Sequence, residues 1–354
     1  MNTTNALRLN PIEDMCNHCQ RLDLLDMLND PLFLLDVKDG KVLFLNQRAL
    51  SLYRYTKTEV ERLSIGDLSH ESEETLRDRI QMVVGQGKRG CVLSAVHKKK
   101  NGIVFKVEIS ARFLKLHGLP VLVAMIRDVT EDSRVREEIA TAAKVQRRLL
   151  PKDQETELFL TRSVYQPLAG LSGDVFDVQY DSAQGVLNGF LVDVMGHGLA
   201  ASSQLGVLRY LFRQSLELAA SINQRLMWIN REVAPFFSGS GFAAALLFRL
   251  DFERRELAYA AAGINQFLVF SNGVNEQIAP GLFLGINPDE SYDLHILPVR
   301  AGDGFFFLTD GLSECLPSPL DPDWDFWRML EWCEKSAGAG TLGDDATALG
   351  VLLK

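Results

Sequence analysis

Residues 189–202 read GFLVDVMGHGLAAS. The run from Phe190 to Val194 is apolar except for Asp193 near its end, and it reads as a buried strand. Gly196 and Gly198 then flank His197, and small helix-forming residues follow. A strand–turn–helix junction accounts for the glycines and lets the acid serve the turn. A second account is that a rigid strand end aims Asp193 at a metal ion or a reacting group, with the two glycines leaving room for close backbone approach. The stretch alone supports both equally, and the rest of the chain has to decide between them.

Similar settings recur downstream and upstream. Asp174 lies in LSGDVFD, Asp310 in FFFLTDGLSE, and Asp344 and Asp345 in LGDDATALGVLL. Any one of these acids alone reads as a turn residue. Four such settings in one acidic half of the chain point to cation binding, because carboxylates brought together repel unless protons or cations intervene. Hard oxygen ligands suit Mg2+ or Mn2+. Two such ions about 3.5–4 Å apart activate a bridging water and hold phosphate oxygens. No Cys/His cluster indicates zinc.

The whole composition sets limits on other functions. At 354 residues the chain is long enough for two domains of about 150 residues each. The net charge of −9 divides unevenly, about +4 over residues 1–150 and about −13 over the rest. An acidic half lacks the basic face that nucleic-acid binding needs, so no nucleic acid is expected as partner. The longest apolar runs, near 120–126 and 242–248, are far short of the roughly 20 residues of a membrane span. The N-terminal MNTTNALRLNPIEDM shows no basic region followed by an apolar one, so a cytoplasmic protein is expected. Five scattered cysteines suit a reducing compartment. The stretch CNHCQ at 16–20 resembles half a zinc site without its other half, and a thiol pair without a metal is the plainer reading of Cys16 and Cys19.

Residues 22–131 form the first domain in this reading. PLFLLDV, DGK and VLFLNQRAL read as strand, tight turn and strand; SLYRYTKTEVERLSIGDL as short helices; ETLRDRIQMVVGQG as an amphipathic helix ending at a glycine. Three β runs split by KKKNG and HGLP complete a small α+β unit on an antiparallel sheet. Its DGKVLFLNQRAL segment, its HKKKNGIVFKVEIS hairpin and its closing IRDVTED resemble a PAS domain. That resemblance implies a sensory or dimerising module and leaves its ligand unknown. His70 and His97 are conceivable haem ligands, with a surface position the simpler reading of each.

Residues 132–150 link the domains. Over 131–150, Val135, Ile139, Ala142, Gln146 and Leu149 follow the 4-3-4-3 spacing of coiled-coil a and d positions, and Pro151 stops the helix. Gln146 stands where an apolar residue would make a stronger seam. A solvated linker helix and a two-stranded signalling helix both fit; the position between two domains favours the second, and with it a homodimer. Residues 151–354 form the second domain. ASSQLGVLRYLFRQSLELAA (201–220) and SINQRLMWINREVAPFF read as helices among β runs separated by Gly, Asn and Asp turns, which suggests packed sheets with helices outside.

The ordered set SGDVFD, DVMGHGLAAS, GLFLGINPDESYDLHILPVRAGDGFFFLTDGLSE and DDATAL resembles the SpoIIE-like branch of the metal-dependent (PPM, type 2C) serine/threonine phosphatases over about residues 165–354, and AAKVQRRLLP resembles the helix that precedes that domain. The resemblance implies an α+β protein: an N-terminal PAS domain, a linking helix and a C-terminal α-β-β-α sandwich. It implies two Mn2+ or Mg2+ ions held by Asp174, Asp193, Asp310, Asp344 and the carbonyl of Val194, and water activated by them that hydrolyses a phosphoserine or phosphothreonine. Asp345 would be a substitute for Asp344 or its neighbour. Gly173 and Gly311 would keep backbone close to the ions. His197 is a candidate general acid or, more simply, a turn residue. The whole architecture resembles bacterial phosphatases of sigma-factor partner switching, whose substrate is a phosphorylated STAS-domain protein, the anti-sigma-factor antagonist.

Departures from the pattern are Ser172 in place of a glycine, Gly263-Ile264-Asn265 where Ala-Gly-His is common, and a short segment at 315–343 in which a helix is trimmed or rebuilt. They keep a second expectation open, a scaffold that binds a signalling partner with little or no turnover. A diguanylate cyclase fits poorly, since Val175 replaces the Glu of its motif. A histidine kinase fits poorly too, since 131–150 holds no His.

Overall fold

The computed structural model describes residues 25–354 apart from 117, 197, 238–240, 340 and 341. Cys16, Cys19 and His197 therefore lie outside the described residues. The chain divides into two compact units between Glu137 and Glu138.

In the first unit β1 (Leu32–Asp36) pairs antiparallel with β2 (Val42–Leu45). The second strand is shorter than VLFLNQRAL suggested, because Asn46 ends it. The Asn46 Oδ1 accepts from the amides of Leu32 and Ala49, and its Nδ2 donates to the carbonyl of Asp30. One buried side chain thus ties the start of β1 to the cap of α1 (Gln47–Tyr53). Short helices α2 (Lys57–Val60) and α3 (Ile65–Leu68) follow, then α4 (Glu73–Gln86). β3 (Cys91–Lys98), β4 (Val104–Leu116) and β5 (Leu119–Asp128) complete an antiparallel sheet of order β2-β1-β5-β4-β3.

Phe33, Tyr53, Val107 and Ile126 are among the fully buried residues under that sheet. His70 is exposed, whereas His97 is buried, which corrects the surface expectation for it. The His97 Nδ1 lies 2.5 Å from the Tyr53 hydroxyl. Burial, aided by the nearby Arg79 charge, pushes the imidazole down to about 4. This is a neutral core histidine.

Helix α5 (Thr130–Leu149) has acids in its first turn and Arg147 and Arg148 in its last, the charge order that suits the helix dipole. None of its residues is buried. Its residues from Glu138 onward belong to the second unit.

That unit is a sandwich. β6 (Phe159–Gln166), β7 (Asp174–Asp181) and β8 (Val186–Val194) lead into α6 (Leu199–Ser215) and α7 (Ile222–Val233). The first of these helices stops at Ser215, short of the expected 220. Then come β9 (Ala243–Asp251), β10 (Glu256–Ala262), β11 (Gln266–Phe270), β12 (Val274–Ile278), β13 (His295–Pro298), β14 (Gly304–Leu308), the single turn α8 (Asp310–Ser313), α9 (Phe326–Gly338) and β15 (Ala346–Leu353). The sheets run β13-β10-β9-β8-β7 and β12-β11-β14-β15-β6.

Alternation decides the layers. On β8, Phe190, Val192 and Val194 face Leu205, Leu208 and Phe212 of α6, while Leu187 and Leu191 face the other sheet. Between the sheets Phe248 stacks on Phe307 with centroids 4.5 Å apart. Gly189 makes room for that ring, since a Cβ there would lie 2.2 Å from Phe248. On the far side Phe326, Met329, Cys333 and Ala337 of α9 pack on the second sheet. Asp325 caps this helix by accepting from the Arg328 amide. The short 315–343 segment therefore still carries a helix of 13 residues and covers its sheet. The α-β-β-α order is the expected one.

Candidate active site

The four acids reach one end of the sandwich from both sheets. Asp174 opens β7 and Asp193 nearly closes β8, and the two are directly paired across the ladder. Asp310 begins the turn that follows β14, and Asp344 lies just before β15, its neighbour in the second sheet. Each sheet thus supplies two acids. Asp193, Asp310 and Asp344 line one cavity of about 550 Å3, together with Asn265, Phe242 and Phe283. Asp174 sits behind them, buried.

Glycines make these approaches possible. A Cβ on Gly173 would lie 2.9 Å from the Val194 carbonyl oxygen and 2.8 Å from that of Gly196. A Cβ on Gly311 would lie 2.1 Å from the Asp345 carbonyl oxygen, so only glycine lets the turn after Asp310 touch the loop that carries Asp344. Gly196 and Gly198 play a different part from the one expected. Both have positive φ, 85° and 77°, and a Cβ on either would meet nothing within 4 Å, so they serve the turn's conformation and not close approach.

Electrostatically the cluster is under tension. Burial, then the charges of neighbouring carboxylates, raises the pKa of Asp174, Asp193 and Asp310 above the ordinary carboxylate range. Asp193 and Asp310 line the same cavity, and the Asp310 charge raises the cost of ionising Asp193. The Thr309 hydroxyl donates to Asp174 Oδ2 at 2.9 Å, while Asp174 Oδ1 is buried without a partner.

An orphaned buried carboxylate oxygen, an all-oxygen donor set and a neighbouring backbone carbonyl fit a hard divalent cation. Among the described residues no three His, Cys, Asp or Glu side chains converge closely enough to hold an ion unaided. Waters or backbone oxygens would complete any coordination, as Mg2+ in particular prefers.

Adjacent acids separate here. Asp344 is half-buried at the cavity, whereas Asp345 is buried and accepts from the amides of Leu168 and Gly173, each at 2.7 Å. Asp345 braces the loop before Asp174 and is no substitute for Asp344. Asn265, in the place where a His was expected, is exposed at the cavity and accepts from the Gly281 amide. Thr309 and Gln146 escaped the sequence reading. Thr309 directly precedes Asp310, and the polar Gln146 in an apolar seam was the visible anomaly.

Residues 184–351 match the family model described as stage II sporulation protein E, SpoIIE, and residues 29–131 match a PAS domain model. The first match begins ten residues after Asp174. No curated protein matches the chain. Among solved structures, the PP2C domain of SiaA from Pseudomonas aeruginosa is similar at 16% identity over 64% of this chain and 99% of that one, with a TM-score of 0.51. RsbX in complex with magnesium is 19% identical over 57% and 99%, TM-score 0.47. The PP2C phosphatase domain with a fragment of the regulatory domain of SpoIIE from Bacillus subtilis is 15% identical over 70% of each chain, TM-score 0.48.

Proposed function

We infer, from the premise that the chain joins a PAS domain to a metal-dependent serine/threonine phosphatase domain of the SpoIIE family, that it is a PAS-regulated phosphoserine/phosphothreonine protein phosphatase acting on a phosphorylated STAS-domain anti-sigma-factor antagonist. The observation that carries the reading is the meeting of Asp193, Asp310 and Asp344 at one cavity with Asp174 buried behind them. In this reading Asp174, Asp193, Asp310, Asp344 and the Val194 carbonyl hold two Mn2+ or Mg2+ ions. Bound divalent cations supply the Lewis acidity that activates water against a phosphate ester.

The chain's own residues do the rest. Asp193 and Asp310 line the cavity from opposite sheets, so a bound cation would offset their mutual repulsion. Thr309 fixes one oxygen of Asp174 so that the other stays aimed at the site. Gly311 and Asp345 lock the two loops that carry the acids, so little reorganisation accompanies turnover. Asn265 at the rim offers an amide to a phosphate oxygen. In this reading the PAS domain acts through α5, whose expected seam positions Ile139, Ala142, Gln146 and Leu149 face this chain's own phosphatase domain and not a second copy. No described helix is long and apolar enough to cross a membrane.

The test is phosphate release from a phosphorylated STAS-domain protein with Mn2+, with Mg2+ and with EDTA, using wild type beside Asp193→Ala and Asp310→Ala. Metal-dependent release, lost in both variants, is expected. Full activity in Asp193→Ala would sink the reading. A scaffold without turnover is the second reading, favoured by Asn265 at the rim, and it predicts metal binding with no release from any phosphoprotein.

A further inference from the structure

Every backbone polar group that folding buries needs a partner. Leu171, Ser172 and Gly173 are buried, Ser172 fully so. Its partners come from two directions. From the loop just before β15, Asp345 takes the Leu168 and Gly173 amides. From α5, Gln146 takes both groups of Ser172: its Nε2 donates to the Ser172 carbonyl at 2.8 Å, and its Oε1 accepts from the Ser172 amide at 3.1 Å. A primary amide that bonds both the N–H and the C=O of one residue in this way imitates an antiparallel strand neighbour. The Ser172 hydroxyl then accepts from the Asp174 amide at 3.0 Å, and the Gly173 carbonyl accepts from the Val194 amide at 3.0 Å. The link from helix to acid is therefore two residues long.

The rest of the helix is seated loosely. None of its residues is buried, and a cavity of about 240 Å3 lies beneath it, between Val145 and Leu149 on one side and Leu205 and Arg209 of α6 on the other. Arg147 reaches the Tyr165 carbonyl at 3.3 Å, and Ile139 lies over Gly170. The paired bonds of Gln146, with Arg147 on the Tyr165 carbonyl, fix the register of the last turns of the helix on this domain. This also explains the polar residue in the apolar seam.

We propose that Gln146 is a positioning residue for the cation site, holding Ser172 and so Asp174 in place, and that undocking of α5 weakens cation binding through it. The proposal rests on the reading of Asp174 as a metal ligand. Lifting the helix leaves two buried backbone groups without partners, so the Ser172–Asp174 segment has to shift toward water and carries the Asp174 carboxylate with it. The coupling is reciprocal: whatever docks the helix raises cation affinity, and cations favour the docked helix.

The experiment uses the full chain and Mn2+ alone, counting bound ion by the loss of the free-ion paramagnetic resonance signal. Gln146→Met keeps length and shape but neither hydrogen bond. We expect its Mn2+ dissociation constant to rise about tenfold, while KM for a phosphoprotein at saturating Mn2+ stays within about twofold and excess Mn2+ restores kcat. A Mn2+ dissociation constant within twofold of wild type overturns the proposal while leaving the phosphatase reading intact. Wild type that binds no Mn2+ overturns both. Hydrogen exchange on the unmodified protein gives a test independent of any variant. Added Mn2+ should slow exchange in 139–150 as well as in 168–174, and protection confined to the strand ends overturns the coupling.

Discussion

Two aspartates three residues apart in β7 have opposite fates. Both Asp174 and Asp177 are buried. Asp177 accepts from Arg213 Nε at 2.7 Å, and Arg209 lies 3.2 Å from the same oxygen. Its charge is answered by the chain itself. Asp174 accepts from the Thr309 hydroxyl on one oxygen, its other oxygen has no hydrogen bond, and its nearest charges are other acids. One site is finished by folding; the other keeps an unpartnered oxygen, which in the proposed function a cation would answer. The difference separates an acid that stabilises from an acid that is costly in the empty protein and useful in the loaded one.

The sharpest way to break this comparison is activity. Asp174→Asn should lower metal-dependent phosphate release by about 10^3-fold or more, whereas Asp177→Asn should leave kcat within a few-fold. Equal losses in steady-state assays of the two would erase the distinction.

Stability should move in opposite directions. Asp177→Ala strands two guanidiniums, one of them half-buried, and should cost about 2 kcal/mol in denaturant unfolding. Asp174→Asn removes an unanswered charge and should stabilise the metal-free protein by about 1 kcal/mol, while abolishing the further stabilisation that Mn2+ gives wild type.

A smaller effect is expected from pH. The folded-state pKa values of Asp174, Asp193 and Asp310 lie above their ordinary 3.8. Above that range the folded chain keeps protons that the unfolded chain has released, so the stability of the metal-free protein should fall as pH rises. Mn2+ replaces those protons, so its stabilising effect should grow over the same window. Thermal melts from about pH 5 to about pH 8, with and without Mn2+, check both slopes. The smallest effect belongs to Arg213→Ala. This side chain is 53% exposed, which screens its ion pair, and about 0.5–1 kcal/mol should be lost.

The four acids of the cavity were legible because each ends or opens an apolar run, and that pattern survives without any knowledge of the fold. What no run could reveal is direction. Asp344 and Asp345 are neighbours in the same motif, and only the path of the chain sends one to the cavity and the other to the Leu168 and Gly173 amides. VLFLNQRAL read as one strand because its apolar residues continue past Asn46, whose capping bonds to Leu32 and Ala49 are set by tertiary structure. β12 displays no apolar pattern, because VNEQI is an edge strand with no buried residue. His97 looked like a surface residue because a histidine's burial depends on finding a Tyr53.

The aromatic layer between the sheets has a mechanical meaning. Asp174 and Asp193 are bolted to one sheet, Asp310 and Asp344 to the other, and Phe248 stacked on Phe307 at 4.5 Å is part of the spacer between them. The acids form the jaws of a caliper whose opening is set by ring thickness many residues away from the tips. A close-packed interior does not stretch, so the gauge is fixed when the domain folds, and the spacing of the carboxylates is written into the hydrophobic core and not only into the loops that carry them.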